Sequence, residues 1–241
     1  MEKVVLITGA GGGLGQALVK DLLEEKYLVI GTGRNFNKDL KKIKKENFKS
    51  FYFYELDLKD ISSIRPFIKK ITKDHGSLYG LINNAAIGLD GVLATMHESE
   101  ISLTIKVNLE ASILFSKYSF RSMLLNKTGR IVNISSIIGV TGFNGLSVYA
   151  ATKSGLIGFN KSFSRETAKM NVTSNCVLPG YMKTNMTKDI EDRKLKSILR
   201  RSPMKRLAET KKVAKVVLFL LSEDASDING TEITVDTGST A

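Results

Sequence analysis

A glycine-rich turn between a strand-like run and a helix-like run is the feature that most constrains the fold of this chain. The apolar run Lys3–Thr8 predicts a buried first strand, and apolar residues at helical spacing predict a helix up to Glu25. Residues 9–15 between them include five glycines. Glycines let backbone N–H groups approach a pyrophosphate, and the start of a helix adds positive potential. This context predicts a dinucleotide-phosphate loop, with a merely flexible turn as the alternative.

Strand and helix patterns then alternate along the 241 residues without a polar linker, which predicts one domain over residues 1–241. The further predicted strands are Tyr27–Ile30, Phe51–Leu56, Leu81–Ile82, Arg130–Ile134, Val172–Leu178 and Thr231–Val235. The further predicted helices are Ile61–Lys73, Glu98–Leu125, Val148–Ala168 and Thr210–Leu221. The order predicts an α/β fold, a Rossmann-type doubly wound parallel sheet of about seven strands with helices on both faces. The polar, basic stretch of residues 181–207 is interpreted as a mobile substrate lid.

The end of the second predicted strand bears on cofactor choice. An acidic residue there would bind the ribose 2′-OH of NAD(H), whereas an arginine accommodates the 2′-phosphate of NADP(H). Gly33 and Arg34 occupy this place without an acid, so the sequence favours NADP(H) over NAD(H). The alternative is that Arg34 is one more surface cation of a basic protein. Asp57 closes the third strand, where its carboxylate could accept from the adenine amino group.

A hydroxyl, a phenol and an ammonium form the candidate catalytic group. Tyr149 and Lys153 are four residues apart and share one helix face, while Ser136 follows a buried strand. Together they suit proton transfer to or from a substrate oxygen, and the Lys153 ammonium is expected to lower the pKa of Tyr149. A helix that merely happens to carry Tyr and Lys is the alternative. Asn108, in the middle of an apolar helix, needs a polar partner or a function.

The formal net charge of +12 favours acidic partners. One basic cluster, in Lys38–Lys49, is interpreted as a solvated helix face. A second is interpreted as either solvated surface or a docking patch, and its members are Lys188, Arg193, Lys194, Lys196, Arg200, Arg201, Lys205 and Arg206. Neither cluster interleaves aromatic residues for base stacking, which argues against nucleic-acid binding.

The remaining composition argues for a soluble cytoplasmic protein without a membrane segment. No apolar stretch approaches the roughly 20 residues that span a bilayer, and the first apolar run is too short for a signal peptide. The single cysteine, Cys176, cannot form an internal disulfide and is interpreted as a core residue in a reducing compartment. His75 and His97 lack metal-ligand spacing, so no metal site is expected.

Taken in order, these motifs resemble the short-chain dehydrogenase/reductases over essentially the whole chain, and most of all the bacterial 3-oxoacyl-[acyl-carrier-protein] reductases. The residues that carry the resemblance are Thr8-Gly9, Gly13-Leu14-Gly15, Asp57, Asn83-Asn84-Ala85, Asn108, Ser136, Tyr149, Lys153, Pro179-Gly180 and Thr184. Each motif is weak alone, but the set in this order is specific.

The resemblance implies NADPH-dependent reduction of a 3-oxoacyl thioester, linked to acyl carrier protein or CoA, in fatty acid biosynthesis. It implies a homotetramer, with a dimer as the alternative. Tyr149 would protonate the carbonyl oxygen, Ser136 would hold it, and Lys153 would bind the nicotinamide ribose. Asn108 would hold a water that links Lys153 to bulk solvent. The implied cofactor-binding residues are Thr8, Gly9, Gly11, Gly12, Gly13, Leu14, Gly15, Arg34, Asp57, Leu58, Asn84, Ala85, Ala86, Tyr149, Lys153, Pro179, Gly180, Met182 and Thr184.

Two positions depart from the family pattern. Gly12 stands where the carrier-protein reductases usually have an arginine, and Asp236-Thr237-Gly238 replaces Asp-Gly-Gly. Lys127 and Lys169 lie near places where the family has cations that dock an acidic carrier protein. A reductase or dehydrogenase for another ketone, secondary alcohol or sugar is the second interpretation. A dinucleotide sensor is a third, although such a protein needs no proton relay.

Overall fold

A computed structural model of the protein describes residues 2–184 and 192–241. In this part of the chain seven parallel strands form one sheet, in the order β3-β2-β1-β4-β5-β6-β7. The strands are β1 (Val4–Thr8), β2 (Leu28–Gly33), β3 (Phe51–Glu55), β4 (Leu78–Asn83), β5 (Gly129–Ile134), β6 (Val172–Pro179) and β7 (Glu232–Val235). The predicted doubly wound sheet is therefore confirmed.

Helices cover both faces of this sheet. They are α1 (Gly13–Glu24), α2 (Lys38–Glu46), α3 (Ile64–His75), α4 (Glu98–Ile105), α5 (Ala111–Met123), α6 (Ile138–Thr141), α7 (Ser147–Thr167), α8 (Asp192–Arg201) and α9 (Thr210–Leu221). Side chains of α1, α2 and α9 share one core cluster, and those of α3, α5 and α7 share another. Strand β1 shows why both faces must be covered, because Val5 and Ile7 enter the first cluster while Val4 and Leu6 enter the second.

Strand β4 spans Leu78–Asn83 and is therefore longer than the predicted Leu81–Ile82. Gly80 lies inside it. A glycine inside a strand usually weakens it. Here the missing side chain is needed: a Cβ on Gly80 would lie 3.0 Å from Val5 and 3.2 Å from Leu221. Close packing of β1 and α9 against the strand thus explains the glycine.

The predicted continuous helix Glu98–Leu125 is interrupted by a π-helical turn at Lys106–Glu110, between α4 and α5. Single π-helical turns with i→i+5 hydrogen bonds are rare in proteins overall. Those that do occur are often found at functional sites. Asn108 lies within this turn and is fully buried. The π turn therefore marks the place where the polar amide enters the core.

The predicted lid of residues 181–207 falls only partly within the described chain, since residues 185–191 lie outside it. Helix α8 is one of the short helices predicted there. The two ends of the segment are joined, because Ala208 N donates to Tyr181 O at 3.0 Å and Met182 forms a parallel bridge with Ala208. Within the described residues, none of the helices has the length and apolar content that crossing a membrane requires.

Candidate active site

A cavity of about 840 Å³ opens at the carboxyl ends of the central strands. The strand order reverses between β1 and β4, and ligands of open α/β sheets bind at this kind of switch point. The predicted residues that line the cavity are Gly9, Gly11, Gly12, Gly13, Leu14, Gly15, Arg34, Asp57, Leu58, Asn84, Ala85, Ala86, Ser136, Tyr149, Lys153, Pro179, Gly180, Met182 and Thr184. Thr8 and Asn108 are buried and do not line it.

The glycine turn has the shape that close approach of a ligand to the backbone requires. Gly9 has φ +67°, in the left-handed region, and a Cβ there would lie 2.8 Å from the Cα of Ala85. A Cβ on Gly15 would collide with the carbonyl oxygen of Gly9. At Gly12, by contrast, an added Cβ meets only Gly9 O, at 3.5 Å. Nothing around Gly12 Cβ therefore excludes the arginine that the reductases usually have there.

Thr8 joins the glycine turn to the loop after β4. Its hydroxyl accepts from the backbone N–H groups of Asn84 and Ala85, both at 3.0 Å. The side-chain amide of Asn84 in turn donates to the carbonyl oxygens of Thr8 and Gly9, both at 3.0 Å. The sequence predicted that Thr8 and Asn84 both belong to the site, and the structure shows that they hold two walls of the cavity together.

At the other end of the cavity, Arg34 is exposed at the carboxyl end of β2. Asn37 also lines this end of the cavity, and it was not among the residues predicted from the sequence. Its side-chain amide donates to Gly11 O at 3.1 Å, and its Oδ1 accepts from Leu40 N at 2.9 Å. An asparagine directly before a helix is a common N-cap, and that signal could have identified it. Asp57 also lines this end, with Oδ1 accepting from Lys59 N at 3.0 Å.

The structure brings Ser136, Tyr149 and Lys153 together in one wall of the cavity. Ser136 follows β5 and forms a hydrogen bond with Tyr149, which lies in the first turn of α7. Lys153 Nζ donates to Ile134 O at 2.7 Å and lies 5.6 Å from the centroid of the Tyr149 ring. Ser135 Oγ donates to Lys153 O at 2.9 Å and so fixes α7 to the end of β5.

Burial raises the pKa of Tyr149 to about 12, and its hydrogen bond with Ser136 opposes this shift. Nearby Tyr181 and Asp90 raise that pKa further. The net direction expected from the sequence, a lowered pKa of Tyr149, is therefore wrong for this structure, because desolvation of the phenolate outweighs the influences that lower this pKa. A phenol with this pKa keeps its proton at neutral pH, so Tyr149 can act as a proton donor.

Lys153 is 3% exposed, and burial lowers its pKa from 10.5 to about 8. The nearby thiol of Cys176 acts in the opposite direction. The ammonium is thus retained at neutral pH, but only with a large desolvation penalty. A buried cation beside a phenol is a costly arrangement, and such perturbed groups concentrate at functional sites.

Asn108 clamps the loop after β4 from behind the cavity. Its Oδ1 accepts from Ile87 N at 2.8 Å, and its Nδ2 donates to Ile87 O at 2.9 Å and to Thr152 Oγ1 at 3.4 Å. The polar partner that a mid-helix amide needs is therefore the backbone of Ile87. The expected role of Asn108 in holding a relay water stays a prediction.

The wall beyond Tyr149 is mostly apolar and was not predicted residue by residue. Ile137, Ile138 and Leu146 are buried there and pack with Tyr181. The rings of Phe143 and Tyr181 lie 5.9 Å apart, and the Arg201 guanidinium lies 5.4 Å from the centroid of Phe143. This combination suits a substrate with an apolar part next to the reacting oxygen.

In the described chain no cluster of His, Cys, Asp and Glu is arranged to hold a metal ion.

Comparisons with known proteins agree with this site. The family model for short chain dehydrogenases matches residues 3–195. The 3-oxoacyl-[acyl-carrier-protein] reductase FabG of Buchnera aphidicola subsp. Schizaphis graminum is 41% identical over 237 residues, which is 98% of this chain and 97% of the relative. FabG of Escherichia coli K12 is 36% identical over 238 residues, with 98% and 96% covered.

A solved structure titled "ElxO with NADP Bound" superimposes with a TM-score of 0.90 at 35% identity, and 99% of each chain is covered. A variant of ElxO with NADPH bound gives a TM-score of 0.89 at the same identity. The similarity therefore extends over the whole described fold, including the strands and turns that line the cavity.

Proposed function

This chain belongs to the short-chain dehydrogenase family, and on that basis we propose that it reduces a 3-oxoacyl thioester to the 3-hydroxyacyl form with NADPH. Family membership makes it an NAD(P)-dependent oxidoreductase that acts on CH–OH or C=O groups. One observation supports the proposal most: a single cavity joins the glycine turn to Ser136, Tyr149 and Lys153.

The residues of the cavity fit a bound NADP(H). The glycine turn lies at the start of α1, where backbone N–H groups and the helix dipole favour a pyrophosphate. Arg34 offers a cation for a 2′-phosphate at the end of β2, and Pro179, Gly180 and Thr184 also line the cavity. When bound, the cofactor supplies the hydride.

The protein's own residues then manage the proton and the substrate oxygen. Tyr149 would donate its phenolic proton to the carbonyl oxygen as negative charge develops there, and Ser136 would hydrogen-bond that oxygen. The Lys153 ammonium, within 6 Å of the Tyr149 ring, would stabilise the phenolate that remains. Reduction needs a protonated acid at the start, which the raised pKa of Tyr149 provides.

The thioester and its carrier are supported by the FabG relatives, which are named for an acyl-carrier-protein substrate. The apolar wall around Ile137, Ile138 and Leu146 suits an acyl chain. We propose that the segment 181–207 acts as the substrate lid. Reduction of another ketone, or oxidation of a secondary alcohol or sugar, is the second candidate, and side-by-side rates with acetoacetyl thioester and simple ketones decide between them.

Arg34→Ala is expected to raise the KM for NADPH by about 10-fold or more and to change the KM for NADH little. A charge-assisted hydrogen bond contributes about 1.5–3 kcal/mol, and only the 2′-phosphate of NADPH would engage this guanidinium. Steady-state kinetics with each cofactor measure the effect. Lys38→Ala, which removes an exposed cation four residues on that does not line the cavity, is the matched control. Equal effects of Arg34→Ala on both cofactors would contradict the NADP(H) assignment.

The members of the predicted docking patch whose side chains are described and exposed are Lys196, Arg200, Arg201, Lys205 and Arg206. Arg206 pairs with Glu209, and Lys205 Nζ donates to Arg200 O. Lys196 and Arg200 lie one helical turn apart on α8, and both are exposed, as are Lys127 and Lys169. Lys188 and the side chains of Arg193 and Lys194 lie outside the described part of the chain. Arg201 contacts Phe143 beside the cavity, so a change there would also disturb the apolar wall. We propose that the acidic carrier protein docks on the Lys196–Arg200 side of α8.

Reversing Lys196 and Arg200 to Glu is expected to raise the KM for an acyl-carrier-protein substrate, with an effect that shrinks as salt is added. Rim charges act mainly on association rate, and screening at 0.15 M salt sets in beyond about 8 Å. An N-acetylcysteamine thioester lacks the acidic carrier and should react as before. Reversal of the exposed Lys211 and Lys212 on α9 gives the same charge change away from the cavity. Equal losses on both substrates would show that the cations shape the pocket instead.

We also propose that the protein assembles as a homotetramer and that the outer faces of α5 and α7 form one of its interfaces. A hollow of about 380 Å³ lies between these helices and is lined by Phe120, Phe159 and Phe163 together with charged residues. Sedimentation or light scattering measures the assembly state.

A cytoplasmic location is supported by the single cysteine, Cys176, which is a buried core residue next to Ile157 and Leu178.

A further inference from the structure

Thr152 lies between the two catalytic candidates of α7 and contacts a third element of the site. We propose that Thr152 is a positioning residue: its hydroxyl couples Asn108 to the helical turn that carries Tyr149 and Lys153. The inference rests on the proposed reductase function, and it adds a residue to which neither the motifs nor the resemblance gave a role.

The contacts of Thr152 form an unbroken chain across three parts of the fold. Thr152 is 1% exposed, and its Oγ1 donates to Tyr149 O at 2.7 Å. The same oxygen accepts from Asn108 Nδ2 at 3.4 Å, on the π turn between α4 and α5. Asn108 in turn holds Ile87 by two backbone bonds, at 2.8 and 2.9 Å. Ile87 lies on the loop that lines the cavity.

The start of α7 has reason to need this contact. Tyr149 is the third residue of the helix, and its N-cap residue, Leu146, provides no side-chain cap. The first turn of a helix has backbone N–H groups without intrahelical partners and frays easily when no side chain caps it. The Thr152 hydroxyl does not pair with those N–H groups, but its hydrogen bond to Tyr149 O ties the turn to Asn108, which donates to the same hydroxyl. A misplacement of about 1 Å near the reacting atoms can lower a rate about 100-fold.

The backbone of Lys153 is restrained by a second side-chain hydroxyl, that of Ser135. Ser135 Oγ donates to Lys153 O at 2.9 Å, so the two catalytic candidates have their carbonyl groups bonded by different hydroxyls. Ser135 fixes the helix to β5, whereas Thr152 fixes it to the π turn. Loss of the Thr152 hydroxyl should therefore loosen Tyr149 more than Lys153, and it should affect proton transfer more than cofactor binding.

Thr152→Val, which removes the hydroxyl and keeps the shape, tests the inference. We expect kcat to fall about 10-fold, the equivalent of one buried hydrogen bond, with the KM for NADPH unchanged within about twofold. Thr152→Ser restores the hydroxyl and should return kcat to within about threefold of wild type. Thr167→Val is the matched control, because Thr167 is a buried α7 threonine whose hydroxyl donates to Val172 O at 2.8 Å, far from the cavity. That variant should lose stability and keep its kcat.

Amide hydrogen exchange gives a readout that does not depend on turnover or on the substrate. Thr152→Val should speed exchange in residues 149–153 relative to Thr167→Val, and Thr152→Ser should reverse the change. Thr152→Ala takes the place of the valine variant in both experiments if the latter fails to fold. Unchanged kcat and unchanged exchange overturn the inference, as does a loss that serine does not rescue. A wild-type protein that reduces no ketone refutes the proposed function alone, and the exchange data then decide on Thr152.

Discussion

Replacing Tyr149 with Phe is expected to lower kcat by at least about 100-fold and to leave the affinity for NADPH nearly unchanged. General acid catalysis by a positioned side chain typically contributes 10²–10⁴-fold, and phenylalanine keeps the ring while removing the proton. Burial raises the pKa of Tyr149 to about 12, so the phenol is protonated over the whole working range. Single-turnover kinetics at saturating NADPH, with a fluorescence titration of the cofactor, separate chemistry from binding.

Tyr181→Phe is the matched control for this variant. Tyr181 lines the same cavity, and burial raises its pKa to about 12 as well. Its hydroxyl has no hydrogen-bond partner among the described residues. Loss of that hydroxyl should change kcat by only a few-fold. If Tyr149→Phe retained activity within a few-fold of wild type, the proton would have to come from another group.

The second large effect concerns Lys153, where activity and stability should move in opposite directions. Lys153→Met should lower kcat by at least about 100-fold and yet stabilise the cofactor-free protein at pH 7 by about 2 kcal/mol. Burial lowers the pKa of Lys153 from 10.5 to about 8, which corresponds to a penalty of roughly 3 kcal/mol for the charged form. Loss of the hydrogen bond to Ile134 O offsets about 1 kcal/mol of that gain.

The stabilisation should depend on pH in a definite direction. Below about pH 8 both the folded and the unfolded states keep the Lys153 proton, so the folded protein carries the full penalty. Between about pH 8 and 10.5 the folded state releases the proton while the unfolded state retains it, and wild-type stability rises relative to the variant. The advantage of Lys153→Met should therefore be largest at neutral pH and fade as pH 10.5 is approached.

Denaturant unfolding of both proteins at several pH values measures this difference. Lys161→Met serves as control, because Lys161 is exposed on the same helix and pairs with Glu232 at 2.7 Å. It should give a small change, since surface ion pairs contribute about 0–1 kcal/mol. A Lys153→Met protein that is less stable than wild type at pH 7 would show that the buried ammonium is compensated by its surroundings.

Much of the fold could be predicted from the sequence because the pattern of a doubly wound sheet is local. Continuous apolar runs mark strands buried on both faces, and the glycine turn after β1 identifies the nucleotide end of the sheet. Strand β4 was predicted too short, and only tertiary packing against Val5 and Leu221 explains the glycine at position 80 inside it. The π turn at Lys106–Glu110 was likewise beyond periodicity, because it depends on Asn108 meeting Ile87.

The sequence predicted most residues of the site, but it did not predict the direction of the Tyr149 pKa shift. Motif order identified Tyr149 and Lys153, yet the direction of the Tyr149 pKa shift depends on burial, which the spacing of two residues does not show. Asn37 and Thr152 were missed for different reasons. Asn37 carries a recognisable N-cap signal, whereas the contact of Thr152 with Asn108 joins residues 44 apart and exists only in the folded chain.

Under the proposed function, hydride passes from NADPH to the 3-carbon of a 3-oxoacyl thioester. Mass spectrometry of the product formed from NADPH deuterated at the nicotinamide C4 tests it most directly, with a 3-oxoacyl carrier-protein thioester as substrate. We expect a 3-hydroxyacyl product with deuterium at C3, formed by wild type and at least about 100-fold more slowly by Tyr149→Phe. A protein that binds NADPH and yields no labelled 3-hydroxyacyl product would contradict it.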